Sequence, residues 1–368
     1  MAAAVAPARK AKLPALTGLR CFAALNLVFF HFSNPQWFGW FAPVVDNGYT
    51  SVSFFLLLSG FVLAYNYADR AGRGQLSTRG FWLARMSRLY PVYLFSLVVS
   101  LGMLREEYHT QTPLHFAMGT ILTPLLLQGW HPVLATFWNT PAWTMSTEAF
   151  FYLIFPFVVC WKRPARLGWL LALLAALWCA GLVCPALYTW LHPDGELHPD
   201  RYTTGTWIRS LKYTPLPHLP SFLFGIVLAD LHQRFLPGVR WRLWLGLAGL
   251  AGLYAVLYFG ARLPYVFLHD GLLMPLFGAA ILGLSGENPM ARFFGFLPFV
   301  FIGESSYCLY LLHFNLWNII HDSGLLQRTG LIQWDPWLSY VLLLGSAMLT
   351  LKLVERPGQQ WIRNHVRV

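Results

Sequence analysis

Apolar stretches of about 17–25 residues, each long enough to cross a bilayer as a helix, recur along nearly the whole of this 368-residue chain. With 57% of residues hydrophobic and only 11% charged, the chain has too little polar surface to enclose so many runs in water. The pattern excludes a water-soluble globule and predicts an all-α integral membrane protein. Ten spans are read, at 15–33, 48–68, 84–104, 143–161, 167–190, 217–233, 243–260, 264–284, 298–320 and 337–354. An eleventh stretch, LHFAMGTILTPLLLQGW (114–130), is expected not to span or to re-enter the membrane.

Charge fixes the expected orientation, because cytoplasmic loops carry the excess of Lys and Arg. With the N-terminus inside and 114–130 not crossing, 19 of the basic residues fall inside and six outside, with Arg20 inside the first span. Letting 114–130 cross inverts every later loop and removes the bias. Ten spans with both termini cytoplasmic is therefore the expectation. The chain reads as one domain over 1–368, with basic cytoplasmic tails at 1–12 and 355–368. The first apolar run has no small-residue cleavage site after it, so it is expected to stay as a span rather than be removed as a signal peptide.

Two other classes fall away on composition. The net charge of +11 sits between hydrophobic spans rather than on a soluble face, so no nucleic-acid partner is expected. The five cysteines at 21, 160, 179, 184 and 308 offer neither a disulfide framework nor a metal-ligand spacing, and no metal is expected.

Ionisable groups at membrane depth are costly and mark candidate sites. LTGLRCFAALNLVFFHF (16–32) carries Arg20 and His31. Eleven residues make about three helical turns and roughly 16 Å, so both point from one face at different depths. Arg20 could also snorkel to the inner headgroups. Glu148 in the fourth span and His313 in the ninth are expected at the level of His31, with Tyr310 a turn below. A carboxylate beside an imidazole fixes its tautomer and raises its basicity, which makes a general base. Arg85 and Arg88, three apart on one helical face, suit phosphate or are ordinary positive-inside charge. Glu304 reads equally as a site or a helix-start residue. The outer tryptophans 37, 40, 130 and 138 could stack on a glycan but better suit an interfacial belt, and HPDGELHPD (192–200) suits a solvated loop rather than a metal loop.

Several of these residues fall in ordered motifs. LTGLRCFAALNLVFFHF resembles the arginine–ten residues–histidine signature of the acyltransferase-3 family of bacterial membrane acyltransferases. SVSFFLLLSGFVLAY (51–65) resembles its second-span pattern, and RMSRLYP (85–91) its arginine pair. WTMSTEAFFYLIFPF (143–157), SYCLYLLH (306–313) and VERP (354–357) resemble three later motifs. Thr17 stands where many members have an acidic residue, and Thr144-Met145 replace a commoner Ser-Leu. Ending at the membrane domain, the chain is expected to lack the fused extracytoplasmic domain of some relatives.

The resemblance implies an O-acyltransferase in a bacterial inner membrane. It would move an acyl group, by expectation acetyl, from cytoplasmic acyl-CoA to a hydroxyl of a cell-envelope or secreted polysaccharide or its lipid-linked precursor. Acetyl-CoA or another acyl-CoA is then a co-substrate, no cofactor stays bound, and membrane lipids and proteins of a polysaccharide assembly pathway are the expected partners. In that reading Arg20, Arg85 and Arg88 bind the donor and His31 is the general base. Glu148 orients His31 or holds the acceptor, with Tyr310 and His313 in support. Direct transfer is preferred to an acyl-enzyme on Ser59 or Ser146. The rivals are acylation of a small metabolite such as a macrolide, and a transporter, whose usual inverted repeats are not seen.

Overall fold

The structure, a computed structural model, describes residues 10–236 and 241–366. The first nine residues of the expected basic tail, Arg240 in the 234–242 loop and the last two residues lie outside the described residues. The described chain is helical, with no strand. That suits a lipid solvent, in which each backbone polar group needs an internal partner.

The main helices are α1 (Pro14–Phe32), α2 (Thr50–Gly72), α3 (Thr78–Val99), α4 (Leu101–Thr110) and α5 (Pro113–Leu122). They continue with α6 (Trp143–Val159), α7 (Leu167–Leu191), α8 (Thr206–Tyr213), α9 (Leu219–Phe235) and α10 (Arg242–Tyr258). The last are α11 (Met274–Leu284), α12 (Leu297–Glu304), α13 (Ser306–Asp322), α14 (Trp337–Thr350) and α15 (Arg356–Val366). All ten expected spans are built around helix. By length and apolarity, however, six helical segments qualify as spans, or eight if each of two bent pairs counts as one. The stretches read at 217–233 and 243–260 form α9 and α10, helices of 17 residues each.

The two bent spans break at serines. α3 and α4 meet at 62° around Ser100, and α12 and α13 at 60° around Ser305. Ser100 Oγ donates to the Ser96 carbonyl at 2.6 Å and Ser305 Oγ to the Ile302 carbonyl at 2.8 Å. Such back-bonding competes with the helical ladder and bends it. At its other end, the expected tail from 355 is not separate. A π-helical turn, Leu351–Glu355, joins α14 to α15 in one continuous helix. Gly358 lets α15 lie against Pro91 of α3, where a Cβ would come within 2.6 Å of the proline ring.

Close helix packing sets the frame of the interior. A Cβ at Gly60 of α2 would overlap the Phe222 carbonyl of α9, and one at Gly225 of α9 would overlap the Leu57 carbonyl of α2. Two glycines facing each other's backbones bring the helices into direct contact, the small-residue packing of membrane helices.

The segment after α5 matters most for the site. Residues 123–142 run as turns and two short 3₁₀ pieces, yet Thr123, Gln128, Leu134, Ala135, Asn139 and Ala142 are fully buried. Irregular backbone is tolerated at such depth only when protein supplies its partners. Here Gln128 Nε2 donates to the Ala142 carbonyl at 3.0 Å. Asn139 Nδ2 donates to Ser96 Oγ at 3.0 Å and to the Leu311 carbonyl at 3.2 Å, and Asn315 Nδ2 donates to Asn139 Oδ1 at 3.0 Å. The segment is thus pinned between α3 and α13, and α6 begins beneath it.

Candidate functional site

Five helices place polar side chains around one cavity of about 130 Å³. Arg20 comes from α1, Ser59 from α2, and Arg85 and Arg88 from successive turns of one face of α3. Glu148 and Tyr152 come from α6, and Ser306, Tyr307 and Tyr310 from the start of α13, just past its break. The break lets α13 present its first turn to the cavity instead of continuing the line of α12.

The bonding within the cavity is uneven. Tyr152 Oη donates to Glu148 Oε2 at 2.8 Å, and Arg85 Nη2 donates to Tyr67 Oη at 2.9 Å. Among the described residues Arg20, Arg88 and Glu148 have no ion-pair partner within 4 Å. Two guanidiniums that face a confined space without a salt bridge suit an anionic or strongly dipolar ligand.

The cavity adjoins a vestibule of about 1150 Å³, with Arg20, Arg85 and Arg88 lining both. Nine Lys or Arg line that vestibule against three acidic residues, Asp69, Glu304 and Glu355. Glu304 pairs with Arg356 at 2.8 Å and Asp69 with Lys10 at 2.9 Å. The surplus makes the vestibule a field for anions. Among the described residues no group of three or more His, Cys, Asp or Glu could hold a metal ion.

The histidines lie elsewhere, at the opposite end of α1. His31 is exposed in the last turn of α1, and its ring centroid lies 5.3 Å from that of His313. His313 is 1% exposed; its Nδ1 lies 2.6 Å from the Tyr310 carbonyl. A carbonyl only accepts, so Nδ1 carries the proton and Nε2 keeps its lone pair. That Nε2 is buried and, among the described residues, without a hydrogen-bond partner.

Glu148, expected at this level, instead lines the cavity of the arginines. The cavity it lines contains neither histidine. The cause is the buried segment 123–142: the sequence places the start of α6 at the outer boundary, whereas Trp143 to Thr147 are all buried beneath that segment. Glu148 is carried down to the arginines. Tyr310 is the link between the two groups, lining the cavity while its carbonyl meets His313. Its hydroxyl donates to the Pro141 carbonyl at 3.1 Å.

The two candidate serines separate cleanly. Ser59 faces the cavity. Ser146 is buried, donates to Gln128 Oε1 at 3.0 Å and accepts from the Gly129 N–H at 3.1 Å, so it ties α6 to the segment above. Sequence reasoning missed Tyr152, although its place one turn after Glu148 was a readable signal. It also missed Ser306, whose buried Oγ has no partner among the described residues, and Tyr307, which donates to the Leu89 carbonyl at 2.7 Å. Glu355, held in the π-helical turn and accepting from Cys308 Sγ at 3.2 Å, falls in the VERP motif but gave no periodic signal as a site residue.

The loop read as merely solvated is built into the far end. Asp194 caps α8, accepting from the Trp207 and Ile208 N–H groups at 3.1 and 2.8 Å. Arg209 of α8 donates to the Pro132 and Val133 carbonyls, anchoring the buried segment. Lys212, 2% exposed, donates to the carbonyls of Asp200, Arg201 and Thr203. Burial pushes its ammonium down to about 8 despite nearby Asp200.

The chain is similar in sequence to known acyltransferases. The family model described as an acyltransferase domain matches residues 13–351. Acyltransferase MdmB of Streptomyces mycarofaciens is 31% identical over 241 residues, covering 61% of this chain and 58% of that protein. YrhL of Bacillus subtilis, whose name assigns it provisionally to peptidoglycan O-acetylation, is 26% identical over 94% of this chain and 54% of its own length. O-acetyltransferase OatA of Staphylococcus aureus is 23% identical over 82% of this chain and 50% of its own length. The chain thus spans about half the length of the curated relatives it matches. No solved structure gives a significant match.

Proposed function

Because this chain belongs to the acyltransferase-3 family of acyltransferase domains, we infer that it carries an acyl group, acetyl by preference, from acyl-CoA to a hydroxyl of a cell-envelope or secreted glycan or its lipid-linked precursor. The observation that carries this reading is the pair of unpaired arginines, Arg20 and Arg88, at the neck between the cationic vestibule and the cavity. CoA phosphates would sit among the vestibule cations, on the face taken as cytoplasmic in a bacterial inner membrane. The pantetheine arm would pass the neck and bring the thioester along α1, whose Arg20 and His31 are roughly 16 Å apart by helical rise.

The chemistry then balances in one displacement. The acceptor hydroxyl gives its proton to His31 as its oxygen attacks the thioester carbonyl. The tetrahedral intermediate collapses with cleavage of the C–S bond. CoA leaves as a thiolate and takes the proton from His31 as its free thiol. His313, with its unpartnered Nε2 beside His31, would accept a hydrogen bond there and fix the ring. Glu148, hydrogen-bonded to Tyr152, would offset the charge of Arg20 and Arg88 rather than orient His31. Direct transfer suits the distribution of groups, since Ser59 lines the cavity whereas the histidines do not.

The test follows label from acetyl-CoA into glycan in membranes carrying the protein or a folded His31→Ala variant. Transfer by the wild type and loss in the variant support the reading. Equal transfer overturns the role of His31. No transfer by the wild type to any glycan, with acetyl-CoA left intact, overturns the donor and acceptor together.

A further inference from the structure

We propose that Arg201 is an anion-recognition point beside His31, suited to the carboxylate of an acidic sugar in the acceptor; the inference rests on the glycan-acceptor reading above. Arg201 lies in the loop between α7 and α8. Its guanidinium carbon is 5.1 Å from the centroid of the Phe30 ring, and that centroid is 4.7 Å from the His31 ring. These two distances put the guanidinium carbon no more than 9.8 Å from the centroid of the His31 ring.

The backbone around Arg201 is fixed to a degree unusual for a surface loop. The buried Lys212 ammonium holds the carbonyls of Asp200, Arg201 and Thr203 at 3.3, 3.1 and 3.1 Å. The Asp200 carboxylate accepts from the Tyr202 and Thr203 N–H groups at 2.8 and 2.9 Å. His218, 1% exposed, reaches the Lys212 carbonyl through Nε2 at 3.0 Å and faces Asp270 through Nδ1 at 3.6 Å. A chain of buried polar groups thus runs from the interior to the loop and sets where the Arg201 side chain starts.

The guanidinium lies against two rings, Phe30 and, at 4.9 Å, Tyr202, while its polar edge is only partly engaged. Its side chain is 33% exposed, and Nη1 makes one contact with Asp46 Oδ1 at 3.2 Å. Among the described residues its Nε and Nη2 groups have no acceptor. Arginine presents a planar fork that matches a carboxylate through two parallel bonds, and one-point pairing with exposed Asp46 leaves half of it open. An exposed pair of this kind is readily exchanged. The two neighbouring cations cannot take this part: Arg209 is engaged with Pro132, Val133 and Thr136, and Lys212 with three carbonyls. An acidic sugar arriving at His31 would take the place of Asp46, while a neutral one would leave the Arg201–Asp46 pair intact. Lipid phosphate offers the same chemistry from another source.

The experiment measures binding without acetyl-CoA, using purified protein in nanodiscs of zwitterionic lipid. The probes are a fluorescent oligosaccharide containing N-acetylmuramic acid, which carries a carboxylate, and an N-acetylglucosamine oligomer of equal length, which does not. The wild type should bind the acidic probe about tenfold more tightly, the scale of a charge-assisted bidentate contact. Arg201→Gln should lose the preference, Arg201→Lys should restore part of it, and Asp46→Asn should strengthen it. Equal binding of both probes by the wild type, binding of neither, or a preference that survives in Arg201→Gln overturns the proposal. So does a preference erased by adding phosphatidylglycerol to the nanodiscs, which assigns the site to lipid. Acetyl transfer is scored separately: a clear binding preference without transfer overturns the acyltransfer reading and leaves Arg201 standing.

Discussion

Tyr152 donates its phenolic hydrogen to Glu148 Oε2 at 2.8 Å from one turn further along the same helix. Both side chains line the cavity that holds Arg20 and Arg88. A hydrogen bond to a charged group in such surroundings contributes about 1.5–3 kcal/mol. Tyr152→Phe should therefore lower stability in detergent by up to that amount, read from the thermal midpoint, and slow acetyl transfer, with the protein still folded. Unchanged initial rates would mean that the Glu148 carboxylate is held without Tyr152.

Arg20 and Arg88 lack ion-pair partners among the described residues. Removing either should weaken a donor contact without breaking an ion pair. Arg88→Gln and Arg20→Gln are expected to raise KM for acetyl-CoA about tenfold each, the scale of one charge-assisted bond. If kcat falls while KM stays fixed, these arginines act on the transition state rather than on donor binding.

His31 and His313 face each other at 5.3 Å, so they should act as a unit. The double variant His31→Ala/His313→Ala is expected to be no slower than His31→Ala alone, because groups that serve one step are non-additive. Rate losses that multiply would assign the two imidazoles to separate steps.

Ser59 and Ser146 make opposite predictions. Ser59→Ala should keep most of the activity, and no acyl-protein should be trapped on acid quench. Ser146→Ala leaves Gln128 Oε1 and the Gly129 N–H without their partner, at a cost of about 1–3 kcal/mol for a buried group. Its thermal midpoint should drop in detergent. A labelled acyl group on Ser59 would reverse the preference for direct transfer.

Lys212 gives the chain a pH dependence with a definite sign. Its ammonium titrates near 8 in the fold, below the 10.5 of the open chain. Between those values the unfolded chain binds a proton that the folded one has lost, so this group makes stability rise with pH across that window. The thermal midpoint of the wild type minus that of Lys212→Met should rise from pH 8 to pH 10 on that linkage. A flat difference would contradict the shifted ammonium.

Much of this site could be read from residue type alone. Arg20, Glu148 and the arginine pair stand out because charge is costly inside an apolar run, and four of the expected residues meet in one cavity for that reason. Depth was harder to read. A start of α6 at the surface puts Glu148 beside His31; the apolar half of 114–130 allows a re-entrant segment, but nothing in the local pattern of 131–142 says that this proline-bearing stretch is buried as well. Its partners, such as Leu311 and Asn315, are far along the chain. The bends at Ser100 and Ser305 were also hidden, since hydropathy runs straight through them. Lys212 looked like one loop charge among many, because its three carbonyl acceptors exist only once the loop has closed.

The pinning of Asn139 bears on how the protein is made. Its partners Leu311 and Asn315 lie 172 and 176 residues downstream. While the ribosome is still working through that interval, residues 123–142 have left the exit tunnel but lack the surface that shields them. The cavity therefore cannot assemble until the final third of the chain has been inserted. A product ending before α13 would leave Asn139 without two of its partners and the cavity without the wall that Ser306, Tyr307 and Tyr310 supply.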